Sequence, residues 1–125
     1  MREIKFRGKH IHSLDINKKL DGIWVYGYLC SENYIWSDKF CGDMLVDKNT
    51  IGQYTGLKDK NGVEIYEGDI LRDYGNDIED WIVSYEDGKF VGTFDNVCED
   101  LYEIHDLEVI GNIYDNKELL KEEGK

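Results

Sequence analysis

The sequence predicts a mainly β fold: a small N-terminal β subdomain, a C-terminal SH3-like β-barrel and a short C-terminal helix. Three observations carry this. Ala, the best helix former, is absent. Val, Ile, Tyr, Phe and Trp fall in short runs, the pattern of residues that suit a pleated, half-buried surface. Pro is absent too, so the chain reversals fall to 13 Gly and to Asn and Asp.

In order along the chain, Ile4 and Phe6 alternate with Lys5 and Arg7, giving a first strand with one apolar face. Residues 11–21 are polar and read as a loop. Ile23–Leu29 is the second strand, with Trp24, Tyr26 and Tyr28 on one face and Ile23, Val25 and Leu29 on the other. Gly27 in its interior marks a bulge or the close approach of another backbone. Tyr34-Ile35-Trp36 is a short third strand. Met44–Val46 and Thr50–Tyr54 are strand pieces around an Asp47-Lys48-Asn49 turn.

The stretch from Ile51 to Ile70 is dense in turns. Asn61-Gly62 tolerates the left-handed region, so Leu57–Lys58 is expected to fold back onto Val63–Ile65. Tyr66-Glu67-Gly68-Asp69 reads as a second turn. Further strands are expected at Asp69–Asp73, Trp81–Tyr85, Lys89–Phe94, Leu101–Ile104 and Leu107–Ile113. Asp87-Gly88 is the clearest two-residue hairpin turn, with Glu86 and Lys89 facing each other across it. This count and spacing of short strands suggests the barrel by analogy. Residues 115–123 can make a short helix, with Asp115 or Asn116 capping its free N–H groups. The division expected is 1–54 for the N-terminal subdomain and 55–125 for the barrel and helix.

The run Ile51–Ile70 is similar to the central signature of the YopX family. So are Met1–Lys9, Trp24–Leu29 and Glu108–Asn116, in the family's order and spanning most of the chain. The resemblance implies a β-rich protein encoded by bacteriophages or prophages, of unknown biochemical role, with no catalytic or binding residues to carry over. The family usually has Pro-Glu where this chain has Lys48-Asn49, and a proline where it has Lys117. Those departures touch the rigidity of a turn and a helix start.

The 125 residues suit one domain, or two very small ones, with 16 aromatics as core material. No run approaches the ~20 apolar residues of a membrane span, and the charged start is unlike a signal peptide. Three cysteines without paired spacing argue against a disulfide framework, and a bacterial host cytoplasm is the expected compartment. The charge is lopsided. Residues 1–62 hold 10 Lys/Arg and 8 Asp/Glu, a net +2; residues 63–125 hold 5 and 19, a net −14. Such an acidic half disfavours nucleic acid and favours basic partners. The basic start could also meet the acidic half of another copy, giving a homo-oligomer.

Several groups of residues bear on chemistry. His10 and His12 share a strand face and could hold a metal with Cys30, Cys41, His105 or Asp106, but no spacing selects a ligand set, so no metal is assigned. Cys98 with His105 is a nominal nucleophile pair; buried, inert cysteines are the simpler expectation. Glu64, Glu67, Asp69 and Asp73 lie close in sequence, with Asp69 read as a turn residue. No Gly-x-Ser-x-Gly elbow or phosphate-cradling loop is present, and no cofactor is implied. The aromatic face of Trp24, Tyr26 and Tyr28, with Gln53 and Tyr54, is the candidate binding surface. The basic Arg2, Lys5, Arg7, Lys9, Lys18 and Lys19 lie near it in sequence. The sequence therefore reads as a non-enzymatic binding or regulatory module acting on a host or phage protein. The alternatives are a small hydrolase, or nucleic-acid binding through the basic N-terminal part.

Overall fold

The computed structural model describes residues 4–11, 22–75 and 77–123. The chain divides into two compact units, Met1–Tyr54 and Thr55–Lys125.

The first unit is an antiparallel sheet. Its strands are β1 (Phe6–Lys9), β2 (Trp24–Ser31), β3 (Tyr34–Ser37) and β4 (Gly42–Leu45), and the start of β5 (Gly52–Lys58). The order is β4-β3-β2-β1-β5. Its core is Val25, Ile35 and Val46, with Phe6, Ile23, Met44 and Ile51 packed around them. The expected turn at Asp47-Lys48-Asn49 is a single 3-10 turn over Lys48–Thr50, and Asp47 caps it by accepting the Asn49 N–H at 3.0 Å. The strand expected from Thr50 therefore begins at Gly52. The Thr50 hydroxyl ties this turn to β1, accepting the Lys9 N–H at 2.9 Å.

The second unit begins in β5, whose next neighbour is β6 (Glu64–Tyr66). It then builds an antiparallel sheet from β7 (Asp69–Asp73), β8 (Glu79–Glu86), β9 (Lys89–Phe94), β10 (Val97–Asp100) and β11 (Glu108–Asn112), in the order β10-β9-β8-β7-β11. This order has two ends, so the sheet is open and the SH3-like barrel expected from the sequence does not close. The reason lies at Leu101–Ile104, expected as a strand. It is one turn of helix, α1, whose Leu101 is fully buried against Ile65, Leu71, Trp81 and Val83. As a turn of helix this segment adds no strand to the sheet, whose edges remain β10 and β11. The extra strand β10, absent from the sequence reading, pairs with β9 through a tight turn in which Asp95 takes φ +51°. The helix α2 spans Lys117–Glu123.

The Asp87-Gly88 hairpin forms as expected. Both residues have φ > 0 (54° and 84°), and Glu86 pairs with Lys89. The Asn61-Gly62 turn forms differently: only Gly62 is left-handed, and the loop is organised by Asp59. Asp69 is buried and accepts the Tyr66 N–H at 2.7 Å, as a turn residue should. At the start of the last segment, Asn112 Oδ1 accepts the N–H groups of Tyr114 and Asp115, both at 2.9 Å. Asn116 returns the contact by accepting the Asn112 N–H at 3.0 Å.

Candidate functional site

The alternation of β2 decides which side chains the first unit shows to solvent. Val25 turns into the core, while Tyr26 and Tyr28 turn out. On β3, Ile35 turns in, and Tyr34 and Trp36 turn out. The register joins these rows. Tyr28 lies directly across from Trp36, Tyr26 across from Arg7, and Trp24 across from Lys9. The result is one outer sheet face with four exposed rings: Tyr26 at 46%, Tyr28 at 60%, Tyr34 at 41% and Trp36 at 38%. Gly27 is what lets β3 lie so close, because a Cβ there would collide with the carbonyl oxygen of Trp36.

The same face carries cations. The Arg7 guanidinium sits 4.6 Å from the Trp24 ring centroid and the Lys9 ammonium 5.7 Å from it. Contacts of this kind are worth about 0.5–1 kcal/mol at exposed sites and about 2 kcal/mol when desolvated, and Arg7 is buried, so its contact with Trp24 is the stronger of the two. The Trp36 indole N–H donates to Asp38 at 3.3 Å, and Cys30 lies beside Asp43 with Sγ to Oδ1 at 3.3 Å. Partial desolvation, then the Asp43 carboxylate, push the Cys30 thiol above its ordinary pKa, so it is less thiolate than a free cysteine.

Of the five residues the sequence suggested, Trp24, Tyr26 and Tyr28 share this face. Tyr54 does not offer a free ring: it is buried at the unit's edge, with the Lys5 ammonium 5.3 Å from its centroid. Gln53 is half-buried on β5, across from Phe6. Sequence reasoning missed Tyr34 and Trp36. The signal was present, since Ile35 between two aromatics puts both rings on one side. What alternation lacks is the register that sets them beside Tyr28.

The other candidates resolve into structural roles. His10 is buried, and its Nδ1 is 2.7 Å from the Leu45 carbonyl oxygen. That contact requires the proton on Nδ1. His12 lies outside the described residues. Cys30, Cys41 and Cys98 are all exposed, against the expectation of buried thiols. Cys98 lies on the short edge strand β10, Cys41 in the turn between β3 and β4, and Cys30 near the end of β2. The His105 ring lies tilted beside that of Tyr102, 5.9 Å between centroids, and its Nδ1 is 3.6 Å from Asp106. Glu64 accepts the Tyr66 hydroxyl, and Asp73 caps the Gly75 N–H. Among the described residues, no group of three or more His, Cys, Asp or Glu side chains is placed to hold a metal ion. No helix among them is long and apolar enough to cross a membrane.

The second unit has a cleft of about 280 Å³ lined by Thr55, Leu57, Lys89, Phe90, Asp100, Leu101 and Tyr102. Its walls are mainly apolar. At its lining, the Lys89 ammonium meets Asp100 at 2.6 Å, which raises the Lys89 pKa.

Comparison with known proteins fits this architecture. The chain is similar to the crystal structure of protein EF1440 from Enterococcus faecalis, at 28% identity and a TM-score of 0.60, over 96% of this chain and 99% of that one. No curated protein matches it. The model of the family described as YopX protein matches residues 5–121, nearly the whole chain, and the protein therefore belongs to the YopX family.

Proposed function

We propose that this protein is a non-enzymatic binding module that engages a protein partner through the outer face of its first unit. The observation that carries this reading is the contiguous exposure of Tyr26, Tyr28, Tyr34 and Trp36 on paired strands. Tyr and Trp are the residue types that dominate interface energetics, and a grouped apolar patch marks an interaction surface more often than scattered ones do. The YopX resemblance, with its phage and prophage setting, supports a partner in a bacterial host cell or from the phage itself.

The test is affinity capture from bacterial lysate with the wild-type chain and with a Tyr28→Ser/Trp36→Ser variant, at low and high salt. The expected result is a specific protein retained by the wild type and lost by roughly tenfold or more in the variant, the size of a hot-spot loss. The same proteins captured by both chains would remove the face from the reading. Capture that depends on nucleic acid and on the same face would replace the protein partner.

A further inference from the structure

We propose that the cleft of the second unit is a binding site for a free α-amino acid with a large apolar side chain. This is independent of the aromatic face, which belongs to the other unit. The cleft reaches the fully buried Leu101 and is walled by Leu57, Phe90 and Tyr102. Such a lining receives an apolar body and rejects a polar one. The two charged lining residues are of opposite sign and already in contact, with Lys89 Nζ to Asp100 Oδ1 at 2.6 Å.

That pairing selects the head group. A lysine ammonium has three N–H donors and a carboxylate two acceptor oxygens, so neither is exhausted by one contact. A ligand carboxylate can take a remaining Lys89 N–H while the ligand ammonium donates to Asp100, with the existing pair kept. A ligand bearing only a carboxylate meets Asp100 as a like charge, and one bearing only an ammonium meets Lys89. The zwitterion alone complements both. Since the Lys89 and Asp100 side chains are about half exposed, each charge contact is worth little by itself. The apolar body must then supply most of the affinity, and the charges supply the selectivity.

The experiment is an NMR titration of the full chain with L-phenylalanine, glycine, phenethylamine and 3-phenylpropionate. L-phenylalanine is expected to give saturable shifts at Leu57, Phe90, Leu101 and Tyr102, and glycine none. Each single-charge analogue should bind about threefold or more weakly than L-phenylalanine, the scale of one exposed ionic contact. Lys89→Gln should abolish the preference for L-phenylalanine over phenethylamine, and Asp100→Asn the preference over 3-phenylpropionate. Both positions are exposed, so retained amide dispersion checks that the variants fold. Absence of saturable shifts at those four residues would overturn the proposal. So would equal affinity for all three aromatic ligands.

Discussion

The carboxylate of Asp59 accepts the backbone N–H of Val109 at 2.9 Å, fastening the loop after β5 to strand β11, 50 residues further on. Its other oxygen accepts the N–H groups of Asn61 at 2.8 Å and Val63 at 2.9 Å. One side chain, 6% exposed, thus satisfies three backbone donors and shapes a loop that glycine alone does not. Asp59→Ala leaves those donors without their acceptor, and a destabilisation of about 3 kcal/mol is expected from the cost of unsatisfied buried groups. Asp59→Asn should fall between, because an amide NH₂ replaces one acceptor oxygen. Urea unfolding measures both; a loss under about 1 kcal/mol in Asp59→Ala would show that water takes over the contacts.

The same site sets an acid response. Burial pushes the Asp59 pKa up, but the N–H groups of Val109, Val63 and Asn61 outweigh it and hold the carboxyl below its ordinary value. A folded pKa below the unfolded one means the native state binds the proton less readily. The stability this contributes is fully present above the unfolded value of about 3.9 and is lost as pH falls through the folded value. Wild-type unfolding midpoints should therefore drop below about pH 4, and Asp59→Asn should lack that share of the drop. Parallel pH profiles for the two chains would contradict it.

A bidentate pair stiffens the centre of the second sheet. Arg72 Nε and a terminal guanidinium nitrogen donate to the two oxygens of Asp80 at 2.7 and 2.8 Å. The two residues are also direct partners across β7 and β8. Hydrogen bonds to Asp80 raise the Arg72 pKa despite partial burial, so the guanidinium stays charged at any working pH. Asp80 is the more buried partner, at 10% side-chain exposure against 26%. Removing Arg72 strands a buried carboxylate, so Arg72→Ala should cost about 2–3 kcal/mol. The Arg72→Ala/Asp80→Ala double variant should cost less than the sum, with a coupling of about 1–2 kcal/mol. Arg72→Lys should not restore wild-type stability, since a single ammonium cannot reproduce the fork. Additive losses in the cycle would mean the pair is incidental.

What was legible in the sequence was what local rules decide. Asp87-Gly88 required two left-handed residues between alternating strands, and both adopt that conformation. The outward set of Trp24, Tyr26 and Tyr28 followed from the period of a strand. What was illegible depended on distant partners. Asn61-Gly62 carried the usual hairpin signal, yet the loop answers to Asp59, whose partner Val109 is far along the chain. Leu101–Ile104 has the composition of a strand, yet it forms one turn of helix with Leu101 packed against Ile65, Leu71, Trp81 and Val83, contacts that a local pattern does not show. In the candidate site, Tyr54 shows the same gap: period fixes the side a ring takes, whereas neighbours decide whether that side is covered.

Gly27 ties backbone geometry to the proposed binding face. A Cβ at this position would strike the Trp36 carbonyl oxygen on β3, and backbone cannot swing aside as a side chain does. Gly27→Ala must therefore push β3 away from β2, separating Tyr28 from Trp36 where they pair directly. A substitution that the native backbone cannot accept destabilises by more than the ~0.4–1 kcal/mol gained at a compatible glycine, so a loss above about 1 kcal/mol is expected. The change should also be local. Backbone amide shifts should move along β2, β3 and β4 while those of β7, β8 and β9 hold, and tryptophan emission should report greater exposure of Trp36. Gly62→Ala serves as the comparison, because it is left-handed with open space around it and would be strained without any collision. If Gly27→Ala leaves the β3 shifts unchanged, close approach at Gly27 is not what holds Tyr28 against Trp36.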